Sequence, residues 1–373
     1  MYITEFSADG FRNLKQVSFQ PDKKINLIIG DNAQGKTNLL DALWLMTGCR
    51  SFHGVKERHY LGFDAPFFQC RMQFFDDRRI QEIRCSLERG QKNKKQISVN
   101  GVENQKANTL FEIFHCVAFS PDDMELVTGI PEKRRLFMDL CACQLRPNRV
   151  QYVSRANLLL SQRNASIQKA LKHKIRNQDV LIWDSQLAQT GAYLTLMRSE
   201  YIQNLAPLCE RLYGVITGGK ETLHISYKNA FGLSEGTLAP SIDVLTEQYR
   251  NMLASHLEDD LRLGYTQKGI QRDDLLLTIN GKSVQQFGSQ GQKKTTALVL
   301  KLAQAHLYNQ KLKRSPVVLL DDVMGELDER RQKFLYDTVS DMQVFITLCH
   351  ASSLRLEQTG KIFRMQNGNL SEL

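Results

Sequence analysis

Residues 30–43, GDNAQGKTNLLDAL, leave the chain few ways to fold. They follow the apolar run INLII and precede a helical pattern in Leu39, Leu40, Leu43 and Trp44. Gly30, four intervening residues, then Gly35, Lys36 and Thr37 fit a phosphate loop held between a strand and a helix. The glycines let the backbone curl so that consecutive N–H groups point at phosphate oxygens, and the helix N-terminus adds partial positive charge. The nucleotide-binding set is therefore Gly30, Asp31, Asn32, Ala33, Gln34, Gly35, Lys36, Thr37 and Asn38. Lys36 is suited to reach the β- and γ-phosphates and the Thr37 hydroxyl to ligate Mg²⁺, so a nucleoside triphosphate is the expected ligand.

A matching element lies near the other end, in RSPVVLLDDVMGELDERRQ. Val317 to Leu320 read as a buried strand, and Asp321 and Asp322 fall at its end, where parallel-sheet sites collect. Asp321 is assigned to the metal, and Asp322 with Lys36 to catalysis, Asp322 orienting the attacking water. Loop and carboxylates must meet at one pocket, so the head is expected from both ends of the chain, at 1–117 and 261–373. Residues 118–260 are then an insertion. Within the first part, MQFFDDRRIQEIRCSLERGQKNKKQISVNGVENQ alternates polar and apolar and carries Asn100-Gly101, which predicts antiparallel strands flanking the head. From FSPDDMEL onward, Ser120 suits an N-cap, Pro121 the first helical position and Asp123 the reciprocal cap. Leu187, Leu194, Tyr201 and Leu208 recur every seven residues, with Leu205 and Leu212 beside them, predicting packed helices that Pro207 kinks or ends. Asn280-Gly281 marks a returning hairpin.

The next stretch, GSQGQKK, opens a helix with Ser289, Gln290, Gly291 and Gln292. These residues resemble the signature motif of ABC-type ATPases, which closes over the γ-phosphate bound by the opposite subunit. Taken alone, the pattern is also that of an ordinary capped helix.

ITEFSADGFRNLKQVSFQP, GDNAQGKTNLLDAL, CRSFHG, VAFSPDDMELVTGIPEKRRLFMDL, LLSQRNASI, GIQRDDLLLTINGK, QFGSQGQKKTTALVLKLAQ and LLDDVMGELDERRQ occur in that order. Across essentially the whole chain, they resemble the RecF family of bacterial recombination-repair proteins. The resemblance implies an α/β fold: an ABC-type P-loop ATPase head related to SMC heads, with flanking antiparallel strands and an inserted, mostly helical second domain. It further implies ATP and Mg²⁺ as cofactors, an ATP-dependent homodimer, double-stranded DNA near single-strand gaps as partner, and cooperation with RecO and RecR in loading RecA. Arg12 and Asn13 would sit by the nucleotide, and Asp328 in a loop crossing the dimer interface. Asp322 stands where ABC-type heads usually carry glutamate, which predicts slow, switch-like hydrolysis.

Three stretches depart from the pattern. GIQRDD replaces the frequent Gly-Pro-His-Arg-Asp-Asp, His53 stands where arginine is common, and VFITLCH ends in His350. Transporter ATPases place a switch histidine directly after this strand; by count Thr347 holds that position and His350 is a loop residue. A transporter-type subunit would bring signature and loop closer in sequence and need a membrane partner. An overcoming-lysogenization-type nuclease would add a clustered acidic metal site outside the head. A scaffold with a degenerate site would not need Lys36, Thr37, Asp321 and Asp322 together.

Composition enters at the partner. A formal net charge of +9 over 373 residues favours a polyanion, since cations in a groove gain affinity by counterion release. Arg89, Lys92, Lys94 and Lys95 on an expected hairpin tip are candidate phosphate contacts, with Lys169, Lys172, Lys174 and Arg176 as a second cluster. Neither cluster has the interleaved aromatics of a single-strand stacking platform. No apolar run reaches bilayer-spanning length, and no signal-peptide pattern opens the chain, so a cytoplasmic, reducing location is expected for its eight cysteines. Cys141 and Cys143 lack a second metal-binding pair and are read as buried.

Overall fold

The computed structural model describes residues 1–49, 51–52, 57–90, 95–172, 175–231, 241–349 and 360–373. In chain order the first part gives β1 (Tyr2–Asp9), β2 (Val17–Phe19), β3 (Ile25–Ile29), α1 (Lys36–Leu45), β4 (Phe67–Phe75), β5 (Ile80–Glu88), β6 (Gln96–Val99) and β7 (Cys116–Phe119). The middle gives α2 (Glu125–Thr128), α3 (Pro131–Leu145), α4 (Val150–Leu171), α5 (Asp184–Thr217), β8 (Leu223–Lys228), α6 (Ile242–Ser255), α7 (Leu257–Leu263), β9 (Asp274–Ile279), β10 (Lys282–Ser283) and α8 (Val284–Phe287). The last part gives α9 (Gln290–Leu312), β11 (Val317–Leu320), α10 (Glu329–Val339), β12 (Val344–Leu348), β13 (Lys361–Gln366) and β14 (Asn369–Glu372).

Two compact units result, Met1–Met124 with Lys294–Leu373, and Glu125–Lys293. The first is assembled from both ends of the chain. Its main sheet runs β14-β13-β3-β12-β11-β7, parallel from β13 to β7 with β14 antiparallel at one edge. The runs VVLL and VFITL are buried throughout, as strands inside a parallel sheet must be. A second sheet, β2-β1-β4-β5-β6, is antiparallel, and alternate residues of β4 and β5 are buried. Asn100 and Gly101, at φ 50° and 80°, make the tight turn their sequence predicts. Val99 and Val102 exchange backbone hydrogen bonds across it at 3.0 and 2.9 Å.

The second unit is helical around a small sheet, β10-β9-β8. Its return boundary lies later than the expected 261, because β9 pairs along its whole length with β8 and so keeps residues 274–283 with the insertion. Helix α5 is 34 residues long and continues ten residues past Pro207, where the sequence pattern predicts a kink or an end. Buried Leu208, Cys209, Leu212, Tyr213 and Ile216 beyond the proline supply packing that offsets its missing N–H. Arg163, fully buried, donates to Asp184 at 2.7 Å, Asp260 at 2.6 Å and Thr266 at 2.8 Å, which ties α4, α5 and α7 together. A similar cluster joins Arg198 to Asp139, Asp273 and the Ile270 carbonyl, with Tyr227 donating to Asp273. Cys141 and Cys143 are buried on α3.

Candidate functional site

The loop 30–37 leaves β3 and enters α1, as the sequence requires. Gly30 tolerates no side chain, since a Cβ there would lie 2.3 Å from the Met365 carbonyl of β13. Ala33 and Gly35 adopt positive φ of 64° and 116°, which turns the backbone through the loop. Lys36 is 4% exposed, and its Nζ donates to the Gly30 and Asp31 carbonyls at 2.6 and 3.0 Å. The loop is tied to the β13–β14 turn, where the Asn367 N–H donates to Gln34 Oε1 at 2.6 Å and the Gly368 N–H to the Gln34 carbonyl at 3.0 Å. Nothing in the motif predicts that anchor.

Arg12 and Asn13 reach the same loop. Asn13 Nδ2 donates to the Ala33 carbonyl at 3.4 Å, and its Oδ1 accepts from Asn38 at 2.7 Å. Arg12 donates to Asn38 Oδ1 at 2.7 Å and to Ser51 Oγ at 3.2 Å, and forms an ion pair with buried Asp41 of α1. Ser51 Oγ donates to Asp41 at 2.8 Å, and the Ser51 N–H to Tyr60 OH at 2.7 Å. Burial pushes the Tyr60 phenol up to about 12, so it stays neutral. Asp41, Ser51 and Tyr60 were not legible as site neighbours, because they meet Arg12 only through the fold.

Carboxylates and loop converge. Thr37 Oγ1 donates to Asp321 Oδ1 at 3.0 Å, across 284 positions of sequence. The pair offers hard oxygen ligands of the kind Mg²⁺ takes, a hydroxyl beside a carboxylate. Asp322 follows with φ 52°, a left-handed conformation that aspartate tolerates better than most residues. Partial burial and the neighbouring Asp321 raise its pKa, while the Lys36 charge opposes the rise. Cys349, the exposed residue directly after β12, donates its thiol to Asn32 Oδ1 at 3.2 Å. Thr347 lies inside β12 and not after it, and His350 falls outside the described residues.

Ser289 and Gln292 form a reciprocal cap at the start of α9. The Ser289 N–H donates to Gln292 Oε1 at 2.8 Å and the Gln292 N–H to Ser289 Oγ at 3.2 Å. Gln292 Nε2 also donates to Glu221 Oε1 at 2.8 Å, and Tyr213 OH to Glu221 Oε2 at 2.9 Å. Gln290 and Gly291 complete that first turn. Asp328 caps α10, accepting the Arg331 N–H at 2.9 Å and pairing with the Arg331 guanidinium, which holds its carboxyl below the usual range.

Of the candidate phosphate contacts on the expected hairpin tip, Arg89 and Lys95 are among the described residues. Arg89 donates to the Ala65, Gly62 and Phe63 carbonyls at 3.1, 2.9 and 2.7 Å. Lys95 is paired with Glu57 at 3.1 Å with its side chain 8% exposed. Both are committed to intramolecular acceptors. Lys92 and Lys94 lie outside the described residues, as do His53 and Lys174.

Sheet order, phosphate loop and carboxylate strand define the class: an ABC-type P-loop ATPase head with a helical insertion. The RecF/RecN/SMC N terminal domain family matches residues 2–371. Proteins called DNA replication and repair protein RecF are similar along their whole lengths. That of Clostridioides difficile (strain 630) is 32% identical over 99% of this chain and 98% of its own. The one from Desulforamulus reducens is 33% identical over 100% and 99%. This chain belongs to the RecF family. Among solved structures, the recombination mediator protein RecF-ATPrS in the RecFOR pathway superposes with a TM-score of 0.92 at 32% identity, covering 100% of this chain and 98% of that one. RecF-ATP from the same pathway gives 0.90, covering 100% and 97%. An Smc head bound to the C-winged helix domain of ScpA, at 14% identity, TM-score 0.55 and coverage of 100% and 97%, shares the fold alone. No described helix is long and apolar enough to cross a membrane.

Proposed function

We propose that this chain is an ATP-dependent DNA clamp of recombinational repair and a weak, DNA-dependent ATPase whose hydrolysis acts as a timer. The observation that carries the reading is the Thr37–Asp321 contact at 3.0 Å, which brings the phosphate loop and the carboxylate strand into one site. ATP would lie along residues 30–38, with Lys36 moving from the loop carbonyls to the β- and γ-phosphates. Thr37 and Asp321 would hold Mg²⁺, which when bound neutralises phosphate charge. Asp322 would orient the attacking water, and its side chain, shorter than glutamate, suits slow turnover.

The α9 start, with Ser289, Gln290, Gly291 and Gln292, would complete the site of a second copy, and Asp328 would lie in the loop across that two-fold interface. The place of Ser289 to Gln292 at the start of a 23-residue helix supports this, since a helix N-terminus carries partial positive charge. The net charge of +9 supports a polyanionic partner, and the family resemblance makes it duplex DNA near gaps. The RecFOR setting of the similar solved structures supports RecO and RecR as partners, and RecA loading is what the family resemblance implies.

The test is solution mass without nucleotide, with ADP, and with ATP and Mg²⁺, for the wild type and Ser289→Arg. Mass doubling in ATP alone, abolished by the substitution, is expected. Constant mass while ATP still binds would remove the clamp.

A further inference from the structure

Thr347 stands by count at the position of the transporter switch histidine, yet it lies inside β12 and bonds to both aspartates of the carboxylate strand. The reason is topological: β12 lies between β3, which carries the phosphate loop, and β11, which carries Asp321 and Asp322. Leu320 pairs with Ile346, so Thr347 stands level with the carboxylate at the end of β11. Its neighbours Val344, Phe345, Ile346 and Leu348 are buried and apolar, and Thr347 itself is 0% exposed. A hydroxyl there is costly unless its bonds are made.

They are made to the site. Thr347 Oγ1 lies 2.9 Å from Asp321 Oδ1, the same oxygen that accepts from Thr37, and the Asp322 N–H donates to Thr347 Oγ1 at 2.9 Å. A hydroxyl has one hydrogen; with a lone pair taken by the Asp322 amide, that hydrogen goes to Asp321, and the Leu320 carbonyl at 3.4 Å is the longer alternative. One bond fixes the orientation of the Asp321 carboxylate. The other holds the amide of Asp322 in its left-handed conformation and so aims its side chain.

We infer that Thr347 is a positioning residue that fixes Asp321 toward the metal and Asp322 toward the water, with the strand between loop and carboxylates serving as the jig. The inference rests on the assignment of Asp321 to Mg²⁺ proposed above, and its test separates the two. ATP affinity is measured for the full chain in Mg²⁺ and in EDTA, for the wild type, Thr347→Val and Thr347→Ser, alongside steady-state hydrolysis and thermal unfolding. The valine variant should keep its affinity in EDTA but lose about tenfold or more of the gain that Mg²⁺ confers, with kcat falling more than KM changes. Serine, which restores the hydroxyl without the methyl, should recover most of that gain.

A valine variant within about twofold of wild type in its Mg²⁺-dependent gain would overturn the inference, as would a serine variant impaired as much as valine, because the hydroxyl would then not account for the effect. A wild type that binds ATP no better in Mg²⁺ than in EDTA would instead sink the metal assignment, and the inference with it. If the valine variant does not fold, Thr347→Ala carries the same comparison with serine.

Discussion

At the residue scale, two aspartates with raised pKa values bear on different properties. In the proposed role Asp322 is ionised to hold a water, and burial beside Asp321 raises its pKa. The acid limb of the pH–rate profile should therefore lie above that of an ordinary aspartate, with activity lost as pH falls through the raised value. Asp322→Asn keeps the size of the side chain and removes the charge; it should leave ATP binding intact and trap the dimer, read as slow dissociation in ATP by light scattering. Rapid dissociation would end its assignment. Asp273 is structural, and burial pushes its pKa up to about 6 against the pull of Arg198. A folded-state value above the unfolded one means that the native form holds the proton more tightly. Its contribution is thus most favourable below the unfolded value, near 4, and declines as pH rises to about 6. Wild-type unfolding free energy minus that of Asp273→Asn should fall across that window in denaturant titrations; a flat difference would show that Asp273 does not titrate there.

Elements show where local chemistry is overruled. The phosphate loop, both Asn-Gly turns and the capped start of α9 follow from residues within a few positions of one another. Pro207 does not. Its pattern signals a break, and the continuation of α5 comes from the buried face on either side. Proline still lacks the N–H and crowds the preceding turn, so Pro207→Ala at this exposed position should stabilise the protein by about 1–3 kcal/mol in denaturant unfolding. No gain, or a loss, would show that the helix is adapted to the proline. The boundary of the insertion was misplaced for a related reason, since the hairpin at Asn280-Gly281 is visible in sequence but its partner strand β8, some fifty residues upstream, is not.

On the scale of the whole molecule, the net charge bears on association and not on the fold. If duplex DNA is held through phosphates, the logarithm of affinity should fall linearly with the logarithm of salt, by about 0.9 for each phosphate neutralised. Fluorescence anisotropy over a salt series tests this, and a flat response would count against phosphate tracking. Arg89 and Lys95 are engaged with the Gly62, Phe63 and Ala65 carbonyls and Glu57, so replacing them should disturb the fold around residues 57–65 before it changes that slope.

The sequence by itself determined the local frame of the proposed nucleotide site: glycine spacing sets a loop between β3 and α1, and an apolar run sets a strand that ends at paired aspartates. It also determined that the head closes from both ends, because two halves of one site lie 284 positions apart. Only the tertiary structure decided which residues support each half. Thr347 reaches Asp321 because strand order sets β12 between β3 and β11, and Asp41 and Tyr60 meet Arg12 and Ser51 through packing. Burial then makes their hydrogen bonds matter, since a polar group away from water must find its partner inside the protein.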